Sequence, residues 1–379
     1  MLPTYSEEAE KFRATVQSFL KTNLPSDWEG IGSLNPEEAY EFANTVWRPL
    51  LADNGYLAPS WPKEVGGGGL SELEQVILAE EFMKAGVPSG GSNDAFSIQM
   101  VGNTILHWGT EEQKSSFLPK IISGEHVWCQ GYSEPDAGSD LGGLGCSATL
   151  DGDEWVIEGQ KIWTSAGQFA NWIFVLCRTD KEAPKHRGIS FLLCPVDQEG
   201  VEMRPIEMLS GESDFNETFF TNARTSKENV IGEVNGGWAV VAMTLLGYER
   251  GESAATMPIM FRNEMDKLIE LAVAKDKNTT PAFRQRLAQS YIEVEIMRLL
   301  GMRTLTGFLD GKQPGPQESM FKLYWSEYHK RITELALDIL GSESMVLSGA
   351  KASTSFHADN PGSSNPVSYT HLRAHETSE

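Results

Sequence analysis

What this sequence lacks narrows it first. Only four cysteines occur in 379 residues, Cys129, Cys146, Cys177 and Cys194, and none forms a CxxC pair. That argues against a disulfide framework or a zinc ribbon and favours free, packed thiols. The seven histidines are scattered without HExxH or similar spacing, so no metal site is expected. Basic residues are scarce: 31 Lys and Arg stand against 53 Asp and Glu, for a net charge of -22. Nucleic acid is a poor partner for such a chain, because binding phosphates needs a basic face. A small anionic ligand is still compatible, since helix N-termini, hydroxyls and a few local cations can hold one. There is no run of about 18 apolar residues, the length that would read as a membrane span. The opening MLPTYSEEAEKF is acidic and lacks a basic-then-apolar leader, so the expected location is the cytoplasm.

What is present has three textures, in a chain long enough for two or three domains. Residues 1–126 are helical in pattern. Phe12, Val16, Phe19 and Leu20 recur at helical spacing. Ser71 and Glu74 form a capping-box signature ahead of an apolar-striped helix from Leu73 to Met83, and another helix is expected from near Thr110. Residues 127–235 turn to Gly, Thr, Trp, Ile and Val in short runs. Segments 154–158, 172–176 and 189–193 read as strands, and their spacing suggests a compact β-barrel or sandwich. From 236 the pattern is helical again, with an apolar stretch at 238–246 and long amphipathic candidates at 284–302 and 319–340. The expected class is therefore α+β and multidomain: a helical N-terminal domain (1–126), a middle β-barrel (127–235) and a helical bundle (236–368).

Gly66 to Gly69 invites a phosphate-loop reading, but no Lys-Ser/Thr pair follows and no GxGxxG pattern is present. A flexible connector before the capped helix is the expectation there. The segment from Gly131 to Asp140 is more informative. It packs Ser133, Glu134, Pro135, Gly138 and Ser139 into ten residues at the helical-to-β junction. Small residues let backbone amides approach a ligand, and hydroxyls add directed hydrogen bonds. Taken alone, it reads equally well as a plain turn. About twenty residues on, Gly159-Gln160-Lys161-Ile162-Trp163-Thr164-Ser165 sets a large aromatic beside two hydroxyls, able to flank a flat ring and bond its polar edge. Taken alone, that is more often a core strand with a turn.

Together, in this order and at this spacing, the two segments resemble the acyl-CoA dehydrogenase family and its bacterial FadE-type members. The first is similar to the family's flavin signature, Ser/Thr-Glu-Pro-x-Ala-Gly-Ser-Asp, and the second to its Lys-x-Trp-x-Ser/Thr loop. Residues 109–125 are similar to the helix that precedes the family's barrel. The resemblance implies FAD as cofactor and an acyl-CoA thioester as substrate. Electron-transfer flavoprotein is implied as acceptor, and a dimer or tetramer as assembly. It implies that Ser133 bonds the flavin pyrimidine edge and that Ser139 lies near the cofactor pyrophosphate and the substrate's pantetheine arm. Trp163 is implied against the flavin ring, and Ser165 near flavin N5. Thr164 is a weaker claimant for that last role, since the family pattern has one residue between the tryptophan and the hydroxyl. Gln130 is counted with these cofactor-binding residues.

The reaction needs a base for the α proton while hydride leaves the β carbon. A carboxylate in an apolar pocket suits this, because desolvation raises its pKa toward working pH. Tyr248-Glu249-Arg250-Gly251, after the apolar stretch from Trp238, is similar to one of the family's two placements of that base. Glu249 is therefore the expected catalytic base. Arg250 is expected to orient it or to steer the anionic substrate. A solvated Glu-Arg pair on a helix face is the plain alternative. The chain also departs from the family. No Arg-x-x-Phe-Gly sequence follows residue 260, and Arg284 to Ala288 occupies roughly that stretch, so contacts to the adenine half are not carried over. From Thr370 the text resembles translated adapter read-through, so 369–379 is expected to be a non-native tail. That tail would displace a Gly-Thr-Ser-like loop, which in the family gives an oxyanion-type contact to the thioester. Other readings are a flavin oxidase or hydroxylase on the same fold, or a non-catalytic subunit of a heteromeric enzyme.

Overall fold

The computed structural model of the chain describes residues 6–208, 213–243, 253–309 and 316–345. In chain order the helices are α1 (Glu7–Asn23), α2 (Pro36–Glu41), α3 (Arg48–Asp53), α4 (Glu72–Ala85), α5 (Asn103–Trp108), α6 (Glu111–Ser123), α7 (Gly237–Met243), α8 (Ser253–Ala274), α9 (Pro281–Leu309) and α10 (Pro316–Leu340). The strands are β1 (Trp128–Gly131), β2 (Ser147–Asp151), β3 (Glu154–Ser165), β4 (Trp172–Arg178), β5 (Ile189–Pro195), β6 (Val201–Ile206), β7 (Phe215–Ser226) and β8 (Val230–Ile231). Helical elements thus flank a middle sheet. By compactness the described residues form two units, one drawn from within 6–43, 70–89 and 253–345, the other from within 44–69 and 90–243.

The first unit is helical. Ser6 caps α1 by accepting from Ala9 N at 3.2 Å, and Glu7, Glu8 and Glu10 in the first turn favour the positive end of the helix. The expected capping box at Ser71 and Glu74 is present, and Gly86 ends α4 in the left-handed region at φ 64°. Inside, Phe261, Met265, Leu268, Met297, Tyr328 and Ile332 interlock along α8, α9 and α10. No helix among the described residues is long and apolar enough to cross a membrane.

The second unit carries the sheet. Its strand path runs β6-β7-β3-β2-β4-β5-β8, with β1 added parallel to β4. The end strands β6 and β8 do not pair with each other among the described residues, so the hydrogen-bonded path is a sheet that is not closed there. Spacing reports how many strands there are and where they turn; closure depends on how far the sheet curls. The strand β4 reads as an unbroken apolar run because both its faces are covered. Ile173, Val175 and Cys177 face a core shared with Ile157, Leu192 and Phe220. On the opposite face, Phe174 stacks on Phe191 with ring centroids 5.7 Å apart. All four cysteines are free thiols buried in the first of these cores.

The glycine run is not loose chain. A Cβ on Gly67 would lie 2.2 Å from the carbonyl oxygen of Trp61, and one on Gly68 would lie 2.3 Å from that of Gly55. The Trp61 ring is buried and donates from Nε1 to Asn103 Oδ1 at 2.7 Å. These glycines are therefore a backbone packing device, required by close approach rather than by flexibility.

Candidate functional site

The first polar segment begins where β1 ends. Tyr132 turns inward and packs edge-on against Phe174 and Phe191. That burial leaves its neighbours Ser133 and Gln130 half-buried at the boundary. A tight turn follows, in which Glu134 and Ala137 exchange backbone hydrogen bonds of 3.0 and 3.1 Å. The Glu134 carboxylate accepts from Gly145 N at 2.6 Å, from Cys146 N at 2.9 Å and from Lys161 Nζ at 2.7 Å. Ser139 lies beyond this turn on exposed chain, next to Asp140, which pairs with Lys185.

The second segment is the end of β3. Pairing with β7 shifts register between Lys161 and Thr164, and inside that bulge Trp163 takes φ 62°. A positive φ is costly for a bulky residue and re-aims its side chain. Here it leaves Trp163 44% exposed, between half-buried Ile162 and buried Thr164. Thr164 points the other way: it is fully buried and shares a 2.9 Å hydrogen bond with Thr218. Asn216 holds the carbonyl of Thr164 at 3.0 Å. Ser165 is half-buried again. Among the described residues, the side-chain hydroxyls of Ser133, Ser139 and Ser165 enter no hydrogen bond, in contrast to that of Thr164.

Backbone bonding joins the two segments. Ile162 N donates to Ser133 O at 2.9 Å, and Lys161 Nζ donates to Tyr132 O at 3.1 Å. From the helical side, Asn93 donates to Trp128 O at 3.0 Å and to Ala166 O at 3.2 Å, tying the start of β1 to the end of β3. Ser133, Trp163 and Ser165 are thus carried on one bonded framework, whereas among the described residues no hydrogen bond or ion pair ties Ser139 to it. Glu249 and Arg250 lie outside the described residues. Asn93 was not foreseen in this framework, and Glu134 and Lys161, though inside the two segments, were not foreseen as its bonded pair. Asn93 sits in Ser-Asn-Asp, which looks like an ordinary turn, so it carried no local signal; Lys161 and Glu134 lie in the two motifs, but a strand lysine is ordinarily a surface residue, so its burial was not foreseen. Burial pushes the Cys194 thiol up to about 12 and raises those of Cys129 and Cys177, whereas the hydrogen bond with Cys177 lowers that of Cys146.

The chain matches the N-terminal domain of acyl-CoA dehydrogenases over residues 6–125, the middle domain over 129–223 and the C-terminal domain over 235–361. It belongs to the acyl-CoA dehydrogenase family. It is 40% identical to acyl-CoA dehydrogenase IpdE1 of Mycobacterium tuberculosis, across 90% of this chain and 88% of that protein. Among solved structures it is similar to the Tcur3481-Tcur3483 steroid acyl-CoA dehydrogenase, with 31% identity, a TM-score of 0.79, and coverage of 98% of this chain and 96% of that one. It is also similar to the ChsE4-ChsE5 complex of Mycobacterium tuberculosis, with 27% identity, a TM-score of 0.77, and coverage of 99% and 97%. This acyl-CoA dehydrogenase is an FAD-dependent oxidoreductase acting on an acyl-CoA thioester. The framework described above suits that cofactor. An exposed indole at a bulge offers a flat apolar surface, and unspent hydroxyls at the same boundary offer polar contacts to a ring edge.

Proposed function

We propose that Ser133, Trp163 and Ser165, with Gln130 beside them, hold the flavin end of FAD. Ser139 faces the pyrophosphate and the pantetheine arm of the substrate in this reading. The observation that carries the proposal is the combination of an exposed Trp163 with unengaged, half-buried hydroxyls on either side of the Ile162–Ser133 backbone bond. Thr164 serves the site through the backbone, since its hydroxyl is spent on Thr218. When bound, FAD supplies the two-electron acceptor of the dehydrogenation. Glu249 takes the α proton and Arg250 orients it, giving a trans-2-enoyl thioester. Electron-transfer flavoprotein is the acceptor that reoxidises the enzyme. The division at 126/127 and 235/236, and the non-native ending from 369, belong to the same reading. So does the finer description of the sheet as a barrel, which is supported by the 2.6 Å bond from Thr225 of β7 to the Leu193 carbonyl of β5.

The neighbours refine the substrate and the assembly. One is described as a steroid enzyme, and two carry a pair of chain names. This supports a steroid-derived acyl thioester and a complex with a second, related chain. It also favours one alternative, in which this chain is the non-catalytic half of such a complex. The deciding experiment adds a panel of acyl-CoA thioesters to the purified, FAD-bound protein alone and follows loss of the flavin's visible absorption. Bleaching by one of them, abolished in Glu249→Gln with FAD still bound, is expected. Unchanged bleaching in Glu249→Gln would remove Glu249 from the mechanism. A protein that binds FAD but is bleached by no thioester without a partner chain would support the alternative.

A further inference from the structure

Lys161 is a lysine on a strand with none of its side chain exposed to solvent. Its ammonium donates to Tyr132 O at 3.1 Å and to Glu134 Oε1 at 2.7 Å. Those two partners are the residues immediately before and after Ser133. The residue after Lys161, Ile162, bonds the Ser133 carbonyl itself. The residue after that is Trp163, at the centre of the bulge. Glu134 is equally committed, since its two oxygens also accept from Gly145 N and Cys146 N. Burying an ion pair this completely is costly unless every donor and acceptor is satisfied, and packing alone would be served as well by apolar side chains. What the pair adds is direction. A bulge has slack in its register, and a charge-assisted bond to a tight turn removes that slack.

We infer that Lys161 and Glu134 are a positioning pair: the buried ammonium brackets Ser133 and sets the bulge that presents Trp163, so that the two flavin-facing segments hold one fixed geometry. The inference rests on the proposed assignment of Ser133, Trp163 and Ser165 to the flavin. Neither Lys161 nor Glu134 touches the cofactor in it. Thr164, bonded to Thr218 on the far side of the bulge, anchors the other end.

The test uses the full-length, FAD-bound protein. FAD affinity is read from the fluorescence of flavin released on dilution, and flavin geometry from circular dichroism in the visible region. The double variant Lys161→Met/Glu134→Gln removes both charges at similar volume and leaves no unpaired buried charge, so it is expected to fold. FAD is expected to bind about tenfold more weakly in it, as when a supporting shell is removed behind a binding residue, and the visible dichroism to change. Lys161→Met alone is expected to lose as much affinity as the double variant, because either change breaks the same bridge. Glu134→Asp keeps both charges but withdraws the carboxylate by one methylene, and a shifted flavin dichroism is expected there too. The inference is overturned if the double variant binds FAD with unaltered affinity and dichroism. If the double variant does not fold, an unaltered spectrum in Glu134→Asp overturns it. Trp163→Ala and Ser133→Ala separate the two levels. Weakened FAD in these, with none in the pair variants, sinks the pair alone; FAD unaffected in these sinks the site assignment on which it rests.

Discussion

Trp163 meets Phe215 edge-on, with ring centroids 6.0 Å apart and planes at 86°. Trp163 nevertheless stays 44% exposed at the proposed flavin site. Replacing Trp163 by Gly would relieve a positive φ of 62° that costs a bulky residue roughly 1–3 kcal/mol, while losing the ring contact. The expected outcome is a folding stability within about 1 kcal/mol of the parent, since the terms oppose one another. FAD affinity, in contrast, should drop at least tenfold. Parallel urea melts of apoprotein and FAD titrations check this. A variant with lower stability and normal FAD affinity would contradict it.

The adjacent residue should behave in the opposite way. Thr164 and Thr218 share a buried hydroxyl–hydroxyl bond of 2.9 Å. Thr164→Val leaves the Thr218 hydroxyl buried without that partner and should cost about 1–3 kcal/mol. Thr164→Val/Thr218→Val removes both groups and should recover most of that loss. FAD affinity should follow Ser165→Ala rather than Thr164→Val. Chemical denaturation of the two variants beside FAD titration of all three tests the assignment of the two neighbouring hydroxyls.

Asn93 is expected to matter more than its place in a turn suggests. Its amide satisfies the carbonyls of Trp128 and Ala166, and Asn93 is itself buried. Asn93→Ala should lower stability by about 2–3 kcal/mol through the two deprived carbonyls. Asn93→Asp should be worse, because a carboxylate replaces a donor facing two acceptors. Thermal melts should order the three proteins as parent, then Ala, then Asp. An Asp variant as stable as the parent would show that these bonds are not needed.

Among the glycines, space rather than φ separates two contrasting cases. Gly67→Ala would drive a methyl to 2.2 Å from the Trp61 carbonyl oxygen and should cost about 3 kcal/mol or more. Gly138, within the proposed flavin segment, would meet nothing within 4 Å. Gly138→Ala should be neutral or stabilise by up to about 1 kcal/mol, by restricting the unfolded chain. Comparing the two denaturation midpoints is sufficient; equal midpoints would argue against the packed reading of the glycine run.

The helical unit has its own acid-sensitive contact. Burial raises the Glu81 carboxyl, but hydrogen bonds from Lys84, Gln17 and Arg13 outweigh it and hold the group below its ordinary value of 4.5. A carboxyl lowered on folding stabilises above its unfolded pKa, and that contribution is lost as pH falls through the folded one. Melting temperatures of the parent should therefore fall as pH drops below about 4.5. Glu81→Gln should be less stable than the parent at pH 7 and should converge on it in acid. Parallel curves for the two proteins across that range would exclude Glu81 as a source of the acid loss.

Helices α1, α4, α6, α9 and α10, strands β3, β4 and β5, and the order helical–β–helical were legible in the amino-acid sequence, because capping boxes, apolar stripes and β-branched runs are local signals; the remaining five strands and helix α8 were not read from it. Ser71 with Glu74 and Thr110 with Gln113 cap α4 and α6 through side chains three residues apart, and no tertiary contact is needed to read them. The two polar segments were also legible, since their residue types and spacing carry the family resemblance. Other features depend on residues brought together from far along the chain. Whether the sheet closes is set by its curl. The rigidity of Gly67 comes from the Trp61 backbone, and the exposure of Trp163 from a register shift against β7. The burial of Lys161 depends on Glu134, 27 residues away. Short-range pattern decides which elements form, because helix and strand propensities act within a few residues. Only tertiary structure decided which hydroxyl stays free and which charge is enclosed, because solvent exclusion and pairing are properties of the assembled neighbourhood.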